Sequence, residues 1–424
     1  MIIKYANITF LGKEVQNLGD NIQLSAIEKL YKYMGVAEEE IIKIPYTELS
    51  TWHDENGEKV ILPINFPFLE YKEKGIANTF SEDIIPIFLG LTLLKSRFSI
   101  DEIDYLKQYE PIGCRDEFTY QNLKKAGLKV WLNGCMTLTM FPNRQIEGSK
   151  KSVFLVDISD QLREFIPQEF IPYIRECSQI VKITNSGNIK EITRQRYEQY
   201  RDEAKLIITS RLHCAIPCLA MGIPVILAVE KVSFRFSWVE KLLPIYTPDT
   251  FHKINWNPDL VDVDNIKNKL LENATYRIQR RSQNTALINE ITNFYLERER
   301  KPYFVEGFSE TIDYIRNNWN KNKIVKYSFW GISYLSELID DYIKENYPNA
   351  ILLNAFDKYR KLCFRGIYTL PISEIETEKL KDMEVFITAS VVTQEAKIIF
   401  SKIGKDDGFF LCYSDIMKAT GTNF

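Results

Sequence analysis

Residues 205–228, KLIITSRLHCAIPCLAMGIPVILA, constrain the fold more than any other stretch. Leu206, Ile207 and Ile208, closed by β-branched Thr209, make an apolar run of the length of a short buried strand. Ser210 is of the residue type that caps helices, and Leu212, Ala215, Ile216, Leu219 and Ala220 then recur at helical spacing. Pro217 falls inside that helix and predicts a kink. Gly222 ends it, and residues 224–228 open a second strand. Strand, turn, helix and strand in this order form the unit from which parallel α/β sheets are built. The turn carries Arg211 and His213. The first N–H groups of a helix lack intrahelical partners and lie at the positive end of its dipole. An arginine and a histidine placed there make an anion site with a proton donor built in. A plainer reading also stands, in which Arg211 is a solvated first-turn residue and His213 a satisfied core histidine.

A chain of 424 residues exceeds one ordinary core, so two or three domains are expected. The net charge of -3 offers no electrostatic footprint for nucleic acid. The sequence has no apolar run of about eighteen residues, so no membrane-spanning helix is expected. The opening MIIKYANITF enters a strand pattern directly and lacks a signal-peptide layout. The seven cysteines (Cys114, Cys135, Cys177, Cys214, Cys218, Cys363 and Cys412) are odd in number and scattered, which fits a reducing, cytoplasmic location better than a disulfide framework. Cys214 and Cys218 sit one helical turn apart, but no second close pair accompanies them, so core packing is expected there and not zinc. With only His53, His213 and His252 as imidazoles, no metal site is expected, carboxylate sites alone staying open. His53 lies in a polar loop, residues 50–57, with a surface position as its default.

Along the chain, residues 2–10 read as a first strand. The turn-forming group Asn17-Leu18-Gly19-Asp20-Asn21 follows, then a helix with Leu24, Ile27, Tyr31 and Met34 on one face and Gly35 at its end. Rossmann-like domains open in this way, although Gly12 and Gly19 are too far apart for a dinucleotide fingerprint. Gly19 permits close backbone approach to a ligand, and Asp20 lies at or near the helix N-cap, where capping and substrate contact are both open. Residues 41–46, 60–64 and 84–94 are further buried elements, the last readable as strand or helix. Gly113-Cys114-Arg115-Asp116 precedes a helix that stops at Gly127, so Arg115, like Arg211, sits at a helix N-terminus with Asp116 or its predecessor as cap. A strand at 130–132 leads into Asn133-Gly134-Cys135-Met136-Thr137.

A second set of strands and helices begins at residues 152–158, with a strand at 180–184 and a helix over 197–204. The loop after Ala228 follows the C-terminal end of a strand, where open α/β sheets place their ligands. Lys231 and Arg235 are therefore candidate ligand contacts, set against a charged, aromatic loop packed on the surface. Helical pattern runs from residue 263 to about residue 300. In the last hundred residues, strands are expected at 323–330, 350–354, 384–389 and 409–413, with a helix over 332–346, as in a small Rossmann-like domain. An acidic residue near Asp357 stands where a ribose contact would be, but WGISYLS holds one glycine, so a docking or structural module is equally open. The expected domains are 1–150, 151–305 and 320–424.

Four segments occur in order: Asn17-Leu18-Gly19-Asp20-Asn21-Ile22-Gln23, Gly113-Cys114-Arg115-Asp116, Asn133-Gly134-Cys135-Met136-Thr137 and Ser210-Arg211-Leu212-His213. With Ala220-Met221-Gly222-Ile223-Pro224-Val225 they resemble the polysaccharide pyruvyl transferase family, over roughly residues 5–300. The resemblance implies an α/β fold with two Rossmann-like domains facing a cleft in a GT-B-like arrangement, the C-terminal unit lying outside it. It also implies phosphoenolpyruvate as donor. The implied acceptor is a sugar of a bacterial capsular or other cell-surface polysaccharide, or of its precursor, and the product a pyruvate ketal. The family's Arg-Leu-His motif, tied to donor binding and catalysis, falls on Arg211, Leu212 and His213. Its Arg-Asp motif falls on Arg115 and Asp116, and its first motif puts Asn17, Gly19 and Asn21 at the substrate. A family lysine after the Gly-Ile-Pro strand corresponds to Lys231, although the Arg235-Phe236-Ser237-Trp238 that follows is distinctive to this chain.

Phosphoenolpyruvate carries a phosphate and a carboxylate that need separate cationic contacts, which Arg115, Arg211 and the helix N-termini supply. Ketal formation protonates the methylene carbon. His213 is the expected general acid, with a pKa suited to neutral pH, and Asp20 or Asp116 the group that takes a hydroxyl proton or orients the sugar. No metal or cofactor beyond the donor is expected. The expected partners are phosphoenolpyruvate and a saccharide, free or lipid-linked, the latter bringing the protein to the inner face of the plasma membrane; self-association is left open. Two rivals are a GT-B glycosyltransferase using a nucleotide sugar and a non-catalytic polysaccharide-assembly protein.

Overall fold

The structure is a computed structural model and describes residues 4–10, 15–66, 76–93, 98–142, 150–182, 188–230, 232–280, 284–298, 308–357, 363–374, 377–389, 392–404 and 409–411. Gly12, Lys231, Cys412 and the ends of several expected elements lie outside the described residues. The chain divides into two compact units, Met1–Pro302 and Tyr303–Phe424.

The first unit opens with β1 (Lys4–Thr9), β2 (Val15–Asn17), α1 (Leu18–Tyr33), β3 (Ile41–Pro45), β4 (Val60–Ile64) and β5 (Ile84–Phe88). Strands β3, β1, β4 and β5 pair in that order, all parallel. The VILPI of β4 is buried along its whole length, as a strand covered on both faces must be. Of the expected element at 84–94, Ile84–Phe88 is strand, and its last residue lies outside the described residues. Asn17, and not Asp20, caps α1: its side chain accepts from the Gly19 N–H at 2.8 Å. Asp20 falls in the first turn, where a carboxylate suits the helix dipole. Next come α2 (Ile100–Lys107), β6 (Ile112–Cys114), α3 (Glu117–Lys125) and β7 (Val130–Leu132), with β6 parallel to β7.

The rest of this unit comprises β8 (Ser152–Val156), α4 (Asp160–Arg163), β9 (Ile174–Cys177), β10 (Ile180–Lys182), α5 (Ile189–Glu203), β11 (Ala204–Thr209), α6 (Leu212–Ala220), β12 (Val225–Ala228), β13 (Ile245–Tyr246), α7 (Asp264–Arg280) and α8 (Thr285–Leu296). Its sheet runs β13-β12-β11-β8-β9, parallel throughout. This is the mixed α/β, parallel-sheet construction that the strand and helix patterns imply. One hydrophobic core runs from Ala6 in β1 through Ile207 in β11 to Tyr295 in α8, so both sheets bury their inner faces together. An antiparallel pair joins the halves, with Asn17 of β2 opposite Ile180 of β10.

Pro217 does not end α6, which continues to Ala220. A proline removes the N–H that would bond the carbonyl four residues back, here that of His213. The Tyr197 hydroxyl of α5 donates to that carbonyl instead. The proline is thus accommodated by a neighbouring helix, which also ties down the first turn of α6. Cys214 and Cys218 are both fully buried, as core packing requires.

The second unit contains α9 (Phe308–Asn318), β14 (Val325–Trp330), α10 (Tyr334–Asn346), β15 (Ala350–Phe356), a short hairpin of β16 (Cys363–Phe364) and β17 (Ile367–Tyr368), β18 (Glu384–Ile387), α11 (Thr393–Lys402) and β19 (Phe409–Leu411). Its sheet, β15-β14-β18-β19, is also parallel. Tyr327, Phe329, Ile339 and Phe386 belong to a core of its own. Gly331, at φ 84°, follows β14 where a Cβ would lie 2.3 Å from that of Ala389. The one glycine of WGISYLS therefore serves close packing of the chain on itself. Asp357 is buried at the end of β15, with its N–H bonded to the Leu370 carbonyl. Among the described residues, no helix is long and apolar enough to cross a membrane.

Candidate active site

In parallel α/β sheets the strand ends release their loops on one edge, and ligands collect there. Phe10 follows β1, Tyr46 follows β3, Asn65 and Phe66 follow β4, Asp157 follows β8, and Ser210 and Arg211 follow β11. Of these, Phe10, Tyr46, Phe66, Ser210 and Arg211 line, with the start of α1, a cavity of about 390 Å³. Its polar lining residues are Asn17, Gly19, Asp20, Gln179, Ser210, Arg211, His213 and Arg235; Phe10, Tyr46, Phe66, Leu212 and Phe236 are its apolar ones. Asn17, Gly19, Asp20, Arg211, Leu212, His213 and Arg235, expected from separate parts of the sequence, thus share one space. Lys231 lies outside the described residues.

The helix that points into this cavity, α6, starts without a side-chain cap; its N-cap is Arg211. Ser210, expected to cap it, donates to the Asp157 carbonyl instead. Asp157 has φ 50°, an uncommon left-handed conformation for a non-glycine residue. In that pose its carboxylate accepts from the Arg211 Nε at 2.9 Å and from the Gln179 N–H at 3.0 Å. The Arg211 side chain stays 45% exposed at the rim.

Arg115 is placed differently. Its guanidinium is fully buried and donates to the Asn65 carbonyl, while its Nε and Nη1 find no hydrogen-bond partner among the described residues. Arg115 is not on the cavity lining, but its charge acts on both His213 and Arg235, which are. Arg235 also carries a buried Nε without a hydrogen-bond partner among the described residues. Burial and the neighbouring Arg115 lower its pKa from the usual guanidinium value, against the opposite pull of Asp116 and Asp20. Two cations that act on one another, with buried N–H groups unbonded among the described residues, suit an anionic ligand that brings acceptors. The loop that brings Arg235 here docks on α3: the Glu117 N–H, an orphan donor of that helix, bonds to the Ser237 hydroxyl at 2.9 Å, and Trp238 is fully buried. The RFSW sequence therefore supplies a cation, a cap and an anchor.

His213 is 7% exposed and reaches the cavity. Burial first, then Arg115 and Arg235, hold its pKa well below the ordinary imidazole value. The expectation of a titration near neutrality is corrected for the unliganded site: His213 is neutral there. Its Nε2 lies 3.7 Å from the Cys135 thiol, and Cys135 is in turn within 3.7 Å of the Asn65 side chain. Asn65 accepts from the Met136 N–H as well. Asn65 and Cys135 thus connect Arg115 to His213. Gly19 completes the contact from the other side, because a Cβ on it would lie 3.1 Å from that of His213. The missing side chain makes room for the histidine as well as for a ligand.

The two aspartates separate. Asp20 lines the cavity. Asp116 is fully buried off the cavity wall and caps α3, accepting from the Thr119 N–H and hydroxyl and from the Thr92 hydroxyl. Burial, outweighing these bonds and Arg115, pushes its pKa up to about 6. Asn21 also stays off the cavity, bonding to Gln16 and to the Asn17 carbonyl. Asn65, Asp157, Gln179 and the three aromatic residues were not singled out by motif or spacing. A usable signal was their position: most stand directly after a parallel strand.

The model of the family described as polysaccharide pyruvyl transferase matches residues 17–229. The match is shorter than the expected 5–300. It holds all the motif segments and ends before Lys231 and Arg235. No curated protein matches the chain.

Proposed function

Because the chain belongs to the polysaccharide pyruvyl transferase family, we propose that it transfers pyruvate from phosphoenolpyruvate to two hydroxyls of a sugar in a cell-surface polysaccharide or its precursor, forming a ketal and releasing phosphate. The observation that carries this reading is the cationic side of the cavity: half-buried Arg235 on its lining and fully buried Arg115 acting on it and on His213, both with N–H groups unbonded among the described residues, beside an uncapped helix N-terminus. A small dianion brings acceptors to these N–H groups and charge opposite to the arginines. Arg211 at the rim meets its second anionic group.

In this scheme His213 gives its proton to the methylene carbon, which makes the adjacent carbon oxocarbenium-like. One sugar hydroxyl attacks that carbon and loses its proton to Asp20, the carboxylate on the cavity wall. Phosphate then leaves with its bonding electron pair, and a second hydroxyl closes the ring and releases a proton. Asp116 holds α3 and the arginines in place. No metal or cofactor enters. We read residues 1–150 and 151–305, which share one compact unit up to Pro302, as the two Rossmann-like domains of a GT-B-like arrangement, with 320–424 as a third domain. A lipid-linked acceptor would bring the protein to the inner membrane face.

Thermal shift of the full chain with phosphoenolpyruvate against a panel of nucleotide sugars tests the donor. Stabilisation by phosphoenolpyruvate alone is expected. Stabilisation by a nucleotide sugar instead would turn the reading into glycosyl transfer.

A further inference from the structure

The cavity has a second wall that the donor does not use. Phe10, Tyr46 and Phe66 come from three neighbouring strands of the first sheet, and all line the cavity half-buried. Their ring centroids lie 5.4 Å (Phe10–Tyr46), 5.1 Å (Phe10–Phe66) and 5.7 Å (Tyr46–Phe66) apart at interplanar angles of 48°, 50° and 67°, so the three form one packed aromatic cluster whose individual ring faces are offered to a ligand. Strand ends fix the rings: β1, β3 and β4 each deliver one at the same sheet edge.

We propose that this aromatic wall is the acceptor subsite and stacks the C–H face of a pyranose ring. The inference rests on the donor reading above. A sugar ring has one edge of hydroxyls and a face of C–H bonds, and those hydrogens meet the negative face of an aromatic ring favourably. The cavity has the same two characters, with Asp20 and His213 among its polar groups and the rings as its apolar wall. A ring lying on the aromatic wall presents its hydroxyls toward the groups that do the chemistry. At about 390 Å³ the cavity also leaves room beside a three-carbon donor, within the usual size of small-molecule sites of about 300–1,000 Å³. An isoprenoid chain would meet the rings as well, but it offers nothing to the polar wall.

Saturation-transfer NMR on the full chain tests this, with methyl β-galactopyranoside and methyl α-mannopyranoside as sugar probes and farnesyl phosphate as the lipid probe. Phosphoenolpyruvate affinity is measured on the same samples by calorimetry. Ring C–H protons of at least one glycoside should take up saturation. Phe66→Leu, Tyr46→Leu and Phe10→Leu, which keep an apolar side chain, should each weaken glycoside binding by about tenfold and leave phosphoenolpyruvate affinity unchanged. Three single variants keep the result readable if one of them melts early. Wild-type glycoside affinity in the leucine variants, saturation of farnesyl phosphate in place of both sugars, or binding of neither sugar would overturn the subsite. Failure of phosphoenolpyruvate to bind the wild-type chain would instead overturn the donor reading.

Discussion

A histidine held neutral cannot give up a proton until its surroundings change. In the unliganded cavity, burial and two arginines disfavour the imidazolium of His213. A bound phosphate and carboxylate would reverse the arginine contribution, so donor binding and protonation of His213 should be coupled. Calorimetry of phosphoenolpyruvate binding near pH 7, in buffers of different ionisation enthalpy, should show net proton uptake that disappears in His213→Gln. Equal uptake in both proteins would remove His213 from that role. In the free protein the same lowered pKa has the opposite consequence: the unfolded chain takes up a proton below about pH 6.5 that the folded one refuses, so stability falls as the pH drops through that region. Asp116 behaves in the other sense. Its folded pKa of about 6 lies above the ordinary carboxylate value, so the folded protein holds the proton more tightly, and stability is lost as pH rises from about 4 to about 6. Asparagine caps helices as well as aspartate and does not titrate. The stability of Asp116→Asn relative to wild type should therefore climb over that interval by on the order of 3 kcal/mol and then level off. Chemical denaturation at several pH values measures it, and a flat difference would contradict the shift.

At the scale of the element, α6 depends on what surrounds its first turn. Pro217 frees the His213 carbonyl and Tyr197 takes it. Tyr197→Phe should cost about 1–3 kcal/mol in denaturant unfolding, the usual penalty for a buried acceptor left unbonded; a change within error would mean that the carbonyl finds another partner. Gly19→Ala should cut turnover, because the new methyl would lie 3.1 Å from the Cβ of His213, and lower the melting temperature by a few degrees, because it would also lie 3.0 Å from the Asn17 oxygen that caps α1. Unimpaired turnover would show that His213 has slack. These same contacts mark the limit of what the sequence could say. Strand β11, helix α6 and strand β12 were legible because apolar spacing and Gly222 state them locally. Asp116 as the cap of α3 was legible for the same reason. The replacement of Ser210 by Arg211 at the N-cap was not, because it follows from Asp157, far away in the chain, drawing the Ser210 hydroxyl. The depth of Arg115 against the exposure of Arg211 was likewise hidden, since both occupy the same local position before a helix and differ only in what the fold lays over them. Arg235 was visible as a residue after a strand, but its pairing with Arg115 required the docking of Ser237 on α3.

Across the whole molecule, the residues assigned to donor, acceptor and proton transfer all come from the first unit, whose hydrophobic core is its own. A chain ending at Pro302 should fold cooperatively and bind phosphoenolpyruvate as the full chain does, checked by calorimetry; loss of binding would give the second unit a part in the site. Within the first unit, neither sheet makes the cavity alone: the aromatic wall comes from the first, and Arg211 and His213 from the second. The central claim is that Arg211 and Arg235 hold phosphoenolpyruvate, with the charge of buried Arg115 added to theirs, while His213 protonates its methylene carbon, and the label carried by the product tests it most directly. The enzyme would be run in heavy water with phosphoenolpyruvate and a panel of galactose- and mannose-type acceptors, and the product read by mass and by NMR of its methyl group. The expected result is one phosphate released per ketal formed, deuterium in the ketal methyl, and no product from His213→Ala. Phosphate release without methyl deuteration, or full turnover by His213→Ala, would contradict it.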